Sequence, residues 1–223
     1  MAGSRRLPRL SRGQRTIRNF FIFFLALALW WALPRIPLWM VEREIRTVAE
    51  AQGVSEGNVR VLWAGSVPCE SGDGGHLPFY PNGLPLVLAQ GGGRLWMGYL
   101  TTYEGDTHLG GVRSCPEPEG PALIYLVEPR NGGLLPDDPL VGAWAAAVQL
   151  EHTAAAVRLA LPQGSGYQIS EEKKAGDAVI LFPIPKQVLE SGQGAALPYV
   201  LEQTDQEGTL LETVSGTLTA PWR

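Results

Sequence analysis

Cysteine, histidine and lysine are scarce in this 223-residue chain, with two, three and three residues respectively. Two cysteines build neither a four-thiolate zinc site nor a disulfide-dense miniprotein. No Cys-x-x-Cys, His-x-His or His-x-x-x-His occurs, so no local dithiol or metal-ligand motif is present. A P-loop and a Gly-x-Gly-x-x-Gly strand-to-helix turn are missing as well. A net charge of -4 gives no basic footprint for nucleic acid. With 18% charged and 45% hydrophobic residues, the chain is not a disordered polymer. The 27 glycines and 18 prolines argue against a helical bundle. Above all, there is no acid before Glu42.

That last absence divides the chain. Residues 1–19 carry Arg5, Arg6, Arg9, Arg12, Arg15 and Arg18, whereas all 22 acids and 11 of the 18 basic residues lie from Glu42 onward. Between them Phe20–Leu33 carries no charge. Those fourteen residues as a helix span about 21 Å, short of a hydrocarbon core of roughly 30 Å. Trp30, Trp31 and Trp39 suit the interfacial aromatic belt, and Arg18 and Arg35 can snorkel outward. Ile17 to Val41 is long enough to cross, with Pro34 and Pro37 making the outer part irregular. The reading is a basic cytoplasmic arm over 1–19 and a transmembrane signal anchor over 20–41. Basic flanks stay cytoplasmic, which puts the N-terminus inside and the acidic body outside the cell membrane. A cleaved signal peptide fits less well. The Ala26-Leu-Ala28 cleavage pattern lies within the apolar run, and cutting there leaves a new terminus of Leu-Trp-Trp-Ala-Leu. The lack of Asn-x-Ser/Thr acceptors and the excess of arginine over lysine fit a bacterial envelope.

Cys69 and Cys115 both fall in the outer body, and two thiols in an oxidising compartment usually pair. The expectation is therefore a structural disulfide between them. The alternative is two free buried thiols acting as small apolar residues.

Leu38, Val41, Ile45, Val48 and Gln52 recur at helical spacing, Glu42 and Arg46 form a favourable i,i+4 pair, and Gly53 is a natural stop. This predicts an amphipathic juxtamembrane helix over 42–53, lying on its own domain or on the bilayer rather than forming a coiled coil. Beyond Gly53 the pattern becomes β-like. Val59, Val61 and Trp63 alternate; Gly91-Gly92-Gly93 separates two strands; Pro121–Val127 is a continuous apolar run. Turn chemistry over Glu128–Gly142 suggests a boundary. The fold class is thus mainly β: a transmembrane helix, a short amphipathic helix, then two small β-rich modules at 54–130 and 143–223. The alanine-rich Ala143–Leu161 reads as two strands broken at His152-Thr153, or as one helix. Thr204–Gly208 turns into a closing hairpin.

The succession of strands and Gly-containing turns over 143–220, ending in the Asp205-x-x-Gly208 hairpin, resembles immunoglobulin-like β-sandwich modules of cell-envelope proteins. The resemblance implies a sandwich for the second module. Its Cys–Trp–Cys hallmark is missing, because no cysteine follows Cys115.

Chemistry-bearing residues are few. Ser170-Glu-Glu-Lys173 matches Ser-x-x-Lys but reads as a solvated turn. Asp73, His76, Asp106 and His108 would need folding to form a metal site, and Glu117 and Glu119 are split by a proline. Trp63, Phe79, Tyr80, Trp96, Tyr99 and Tyr103 offer an aromatic strip for glycan or protein if one strand face is uncovered. The function these features favour is a single-pass, membrane-anchored extracytoplasmic protein. It binds or scaffolds envelope protein or glycan partners, touches the lipid bilayer through its N-terminal helix, and uses no cofactor, metal or nucleic acid. The competing reading is an envelope hydrolase or metal-dependent enzyme with its site in the Cys69–Cys115 segment.

Overall fold

The computed structural model describes residues 12–67, 83–103, 106–109, 111–126, 143–161, 167–174, 177–184 and 197–218. They belong to two compact units, one ending at Ile36 and the other starting at Pro37.

In the first unit, helix α1 (Arg12–Ala32) has 21 residues, so it is about 31 Å long. A single 3-10 turn over Leu33–Arg35, holding Pro34, follows it. Within α1, the stretch Gly13–Ala32 is long and apolar enough to cross a membrane, and none of it is buried. Phe20, Phe21, Phe23, Phe24, Trp30 and Trp31 are all exposed. So much apolar surface is stable in hydrocarbon and costly in water.

The second unit takes in α2 (Ile36–Ala51) from Pro37 onward and continues as antiparallel sheet. The first sheet holds β1 (Arg60–Val67), β2 (Leu84–Gly91), β3 (Arg94–Tyr103) and β4 (Asp106–Leu109) in that order, with β5 (Arg113–Pro116) also paired to β3. The middle sheet is β10 (Val179–Ile184), β7 (Ala143–Val148), β6 (Ala122–Tyr125). The third runs β12 (Leu210–Leu218), β11 (Leu197–Thr204), β8 (Ala156–Leu161), β9 (Tyr167–Glu172).

Strand alternation shows how these layers stack. On one face of the first sheet, Val87, Ala89, Trp96 and Leu100 pack against Val41, Ile45 and Ala49 of α2. On its other face, Leu86, Leu88, Leu95 and Met97 meet Ile124, Ala146, Val148 and Val179 of the middle sheet. The opposite face of the middle sheet, with Ala145, Ala147, Ile180 and Phe182, packs on Val157, Leu159, Leu201 and Leu218 of the third. The order is helix, sheet, sheet, sheet. The middle sheet is covered on both faces, and Ala145, Ala146 and Ala147 are wholly buried. Small side chains there let two sheets approach it at once.

Several sequence expectations meet their structural counterparts. Gly92 and Gly93 have φ of 64° and 67°, as a tight β2–β3 turn requires. In the β11–β12 hairpin, Asp205 Oδ1 accepts hydrogen bonds from the N–H groups of Glu207 and Thr209, and Gly208 has φ 81°. Ala143–Leu161 is two strands with a turn at His152-Thr153, and Val157, Leu159 and Leu161 point inward as expected. A sandwich-like arrangement is present as the middle and third sheets, although β6 of the middle sheet comes from before residue 143.

Other expectations change. Val61 and Trp63 do not share a face: a bulge between them leaves Val61 on the α2 side and Trp63 against the middle sheet. Val148 and Leu150 also separate, because Gln149 adopts φ 53° and ends the alternation. Val41, placed by the sequence at the end of the anchor, is buried under the first sheet. Glu128–Gly142, read as an intermodule boundary, lies outside the described residues, and the flanking strands β6 and β7 pair with each other. Core residues from before and after that segment share one cluster.

Candidate functional site: the membrane-proximal helices

Two Trp–Arg pairs, four residues apart in each case, mark this region. In the first unit, the Arg35 guanidinium lies 3.9 Å from the centre of the Trp31 ring and its NH1 donates to the Trp31 carbonyl at 2.7 Å. Trp30 is 74% exposed, and Arg18 is also exposed. In α2, Arg43 stands over Trp39 at 5.7 Å, and Trp39 is 58% exposed. A cation over an indole face is attractive, and both groups favour the membrane–water interface. The expected interface residues Arg18, Trp30, Trp31, Arg35 and Trp39 are therefore all exposed. Met40 and Arg43 join Trp39 on α2. The sequence reading missed them, although the repeated i,i+4 Trp–Arg spacing signals the pair.

Local chemistry explains why α2 is part of the body. Its apolar stripe of Val41, Ile45 and Ala49 is completely buried. Gly98 in β3 allows the close approach: a Cβ there would lie 2.9 Å from Val41 Cγ1 and 3.3 Å from Ile45 Cγ1. At its C-terminal end, the Gly53 N–H donates to Glu50 O and the Val54 N–H to Ala49 O. With Gly53 at φ 87°, this is a Schellman motif. Arg46 pairs with Glu42 at 2.9 Å, as expected, and donates to the carbonyls of Glu56 and Val59. That ties the helix to the start of β1.

The expected disulfide is not supported. Cys115 is a free thiol, 2% exposed, in the core between the first and middle sheets; Cys69 lies outside the described residues. Compartment and cysteine number suggested pairing, but the β5 register points Cys115 inward, where it packs as a small apolar group. Burial pushes its pKa from 9.0 up to about 11, against the opposing pull of Arg94, and burial also raises that of Tyr125. The folded state thus keeps a proton that the unfolded chain releases first. Stability is expected to fall as pH rises from 9.0 through about 11. Iodoacetamide at about pH 8 should leave Cys115 unmodified until denaturant is added, because the thiolate is the nucleophile. Mass spectrometry with and without denaturant checks this; fast alkylation of the folded protein would contradict the packing.

The remaining candidates do not converge. Trp96 is fully buried under α2, its indole N–H donating to Gly91 O, and Tyr99 is 2% exposed on the opposite face. Trp63 is half-buried against the middle sheet, so the strip is covered at Trp96 and Tyr99 and partly covered at Trp63 among the described residues. Phe79, Tyr80 and the side chain of Tyr103 lie outside them. Ser170 is an exposed residue of strand β9, not helical, and Lys173 Nζ donates to Glu151 O. Glu117 accepts hydrogen bonds from the side-chain amides of Gln90 and Gln149, and Glu119 is exposed. Gly53-Val54-Ser55-Glu56-Gly57 has the Gly-x-Ser-x-Gly spacing of a nucleophile elbow, but it leads from helix to strand, the reverse of that motif's order. Asp73 and His76 lie outside the described residues, as do the side chains of Asp106 and His108. Among the described residues, no three His, Cys, Asp or Glu are placed to hold a metal.

Comparison with protein-family models, with curated proteins and with solved structures finds no match to this chain.

Proposed function

We propose that this is a single-pass membrane protein whose arginine-rich arm lies in the cytoplasm. Its acidic β-rich body stands outside, where it binds or scaffolds envelope partners without catalysis. The observation that carries the reading is α1: a helix of membrane-crossing length, apolar and wholly unburied, preceded by arginines and no acid. The arginines favour the cytoplasmic side. A stack of three sheets sealed by a helix suits a rigid holder, since close-packed layers keep an outer surface in a fixed shape.

A reporter phosphatase that is active only outside the cytoplasm, fused after Arg223, tests the orientation. Activity in intact cells is expected. An inactive phosphatase, together with a fluorescent cytoplasm-only reporter at the same position, would overturn it.

A further inference from the structure

Helix α2 has one face sealed against the first sheet and one face open. On the open face, Trp39 and Met40 are 58% and 47% exposed, and Arg43, Thr47 and Glu50 follow them, all exposed. The exposed large apolar side chains of α2, Ile36, Trp39 and Met40, are thus confined to the start of the helix. A helix face meant for a partner helix would carry its apolar positions along its length. This one turns polar after a single turn.

The chemistry of that first turn is interfacial. An indole suits the carbonyl and headgroup level of a bilayer, a thioether the upper acyl chains, and a guanidinium the phosphates. The Trp39–Arg43 pair repeats, eight residues on, the Trp31–Arg35 pair that closes the anchor. Between the end of α1 and the start of α2 the chain has only Leu33–Arg35. If α1 spans the bilayer, so short a connection leaves the start of α2 within reach of the membrane surface.

We propose that Trp39, Met40 and Arg43 form a phospholipid-binding face through which the body itself rests on the bilayer beside its anchor. The proposal builds on the reading of α1 as a membrane span. Its consequence is mechanical. Because α2 is locked to the first sheet by Val41, Ile45 and Gly98, lipid contact at Trp39 and Met40 holds the whole sheet stack in a set orientation. A body hung on a free tether would have no preferred face.

Photo-crosslinking of the full chain in phospholipid bilayers tests this. Benzoylphenylalanine replaces Phe24, Met40 or Leu211 in separate variants; all three positions are exposed, so the substitutions leave the packing alone. The expected result is a phospholipid adduct by mass spectrometry at positions 24 and 40 and none at 211. An adduct at 24 without one at 40 would overturn the lipid face and leave the anchor standing. No adduct at 24 would overturn the anchor and the proposal with it. Protein adducts at 40, or lipid adducts equally at 211, would also overturn it.

Discussion

Ile45→Asp is expected to destabilise the body by about 4 kcal/mol or more, enough to release α2 or unfold the domain. Ile45 is completely buried between β2 and β3. Two losses add there. Removing a buried isoleucine costs about 2–5 kcal/mol, and an unpaired buried carboxylate adds the cost of its desolvation or its protonation. A domain of this kind has only about 5–15 kcal/mol in total. Gly98→Leu should act from the opposite side of the same contact, since even a Cβ at Gly98 would lie 2.9 Å from Val41 Cγ1. That variant leaves the helix sequence intact, so a shared loss in the two proteins points to docking and not to helix propensity. Urea titration of the full chain in detergent, with hydrogen exchange across 36–51, measures both. A change below about 1 kcal/mol in each would mean that α2 is not part of the core.

Phe182→Ala is expected to cost about 3–5 kcal/mol, because it removes a fully buried ring and leaves a cavity in the core. Phe182 is fully buried in the middle sheet, opposite Ala145 of β7, and Ala147, on the same face of that strand, is also an alanine. These small strand partners cannot reach into the space. The more informative readout is the number of transitions. The middle sheet shares one core with the first sheet and another with the third. The wild type and the variant should therefore each unfold in one cooperative step, shifted as a whole to lower denaturant. Two separate steps, only one of them moved by Phe182→Ala, would show that the halves fold independently.

Much of this architecture is visible in the sequence wherever a local rule decides. Gly53 ends α2 because a left-handed residue is needed there, and Gly92-Gly93 and Asp205–Gly208 build their hairpins for similar reasons. What was hidden depends on long-range packing. The turn-rich segment before Gly142 looks like a linker, yet the strands on either side pair, and hydrogen bonding across a sheet leaves no signature in the intervening residues. The alanines of β7 read as strand, with helix the open alternative; a sheet covered on both faces selects the strand. Trp96 and Tyr99 look like a half-exposed strip only when the covering layers are unknown, and here α2 takes one face and the middle sheet the other. Cys115 illustrates the limit of counting: compartment and number favoured a disulfide, whereas register placed the thiol inside the core. On α2, the Trp–Arg spacing was legible and the exposure of Met40 and Arg43 was not, because it follows from which side of the helix the sheet occupies.

Protease accessibility of the full chain in intact cells and in carbonate-washed membranes tests the central claim most directly. The account predicts that the chain stays with the membrane after the wash, and that protease added outside intact cells cleaves the body while leaving a small arginine-rich fragment protected. Release of the chain by carbonate, or a body digested only after the cells are opened, would contradict it.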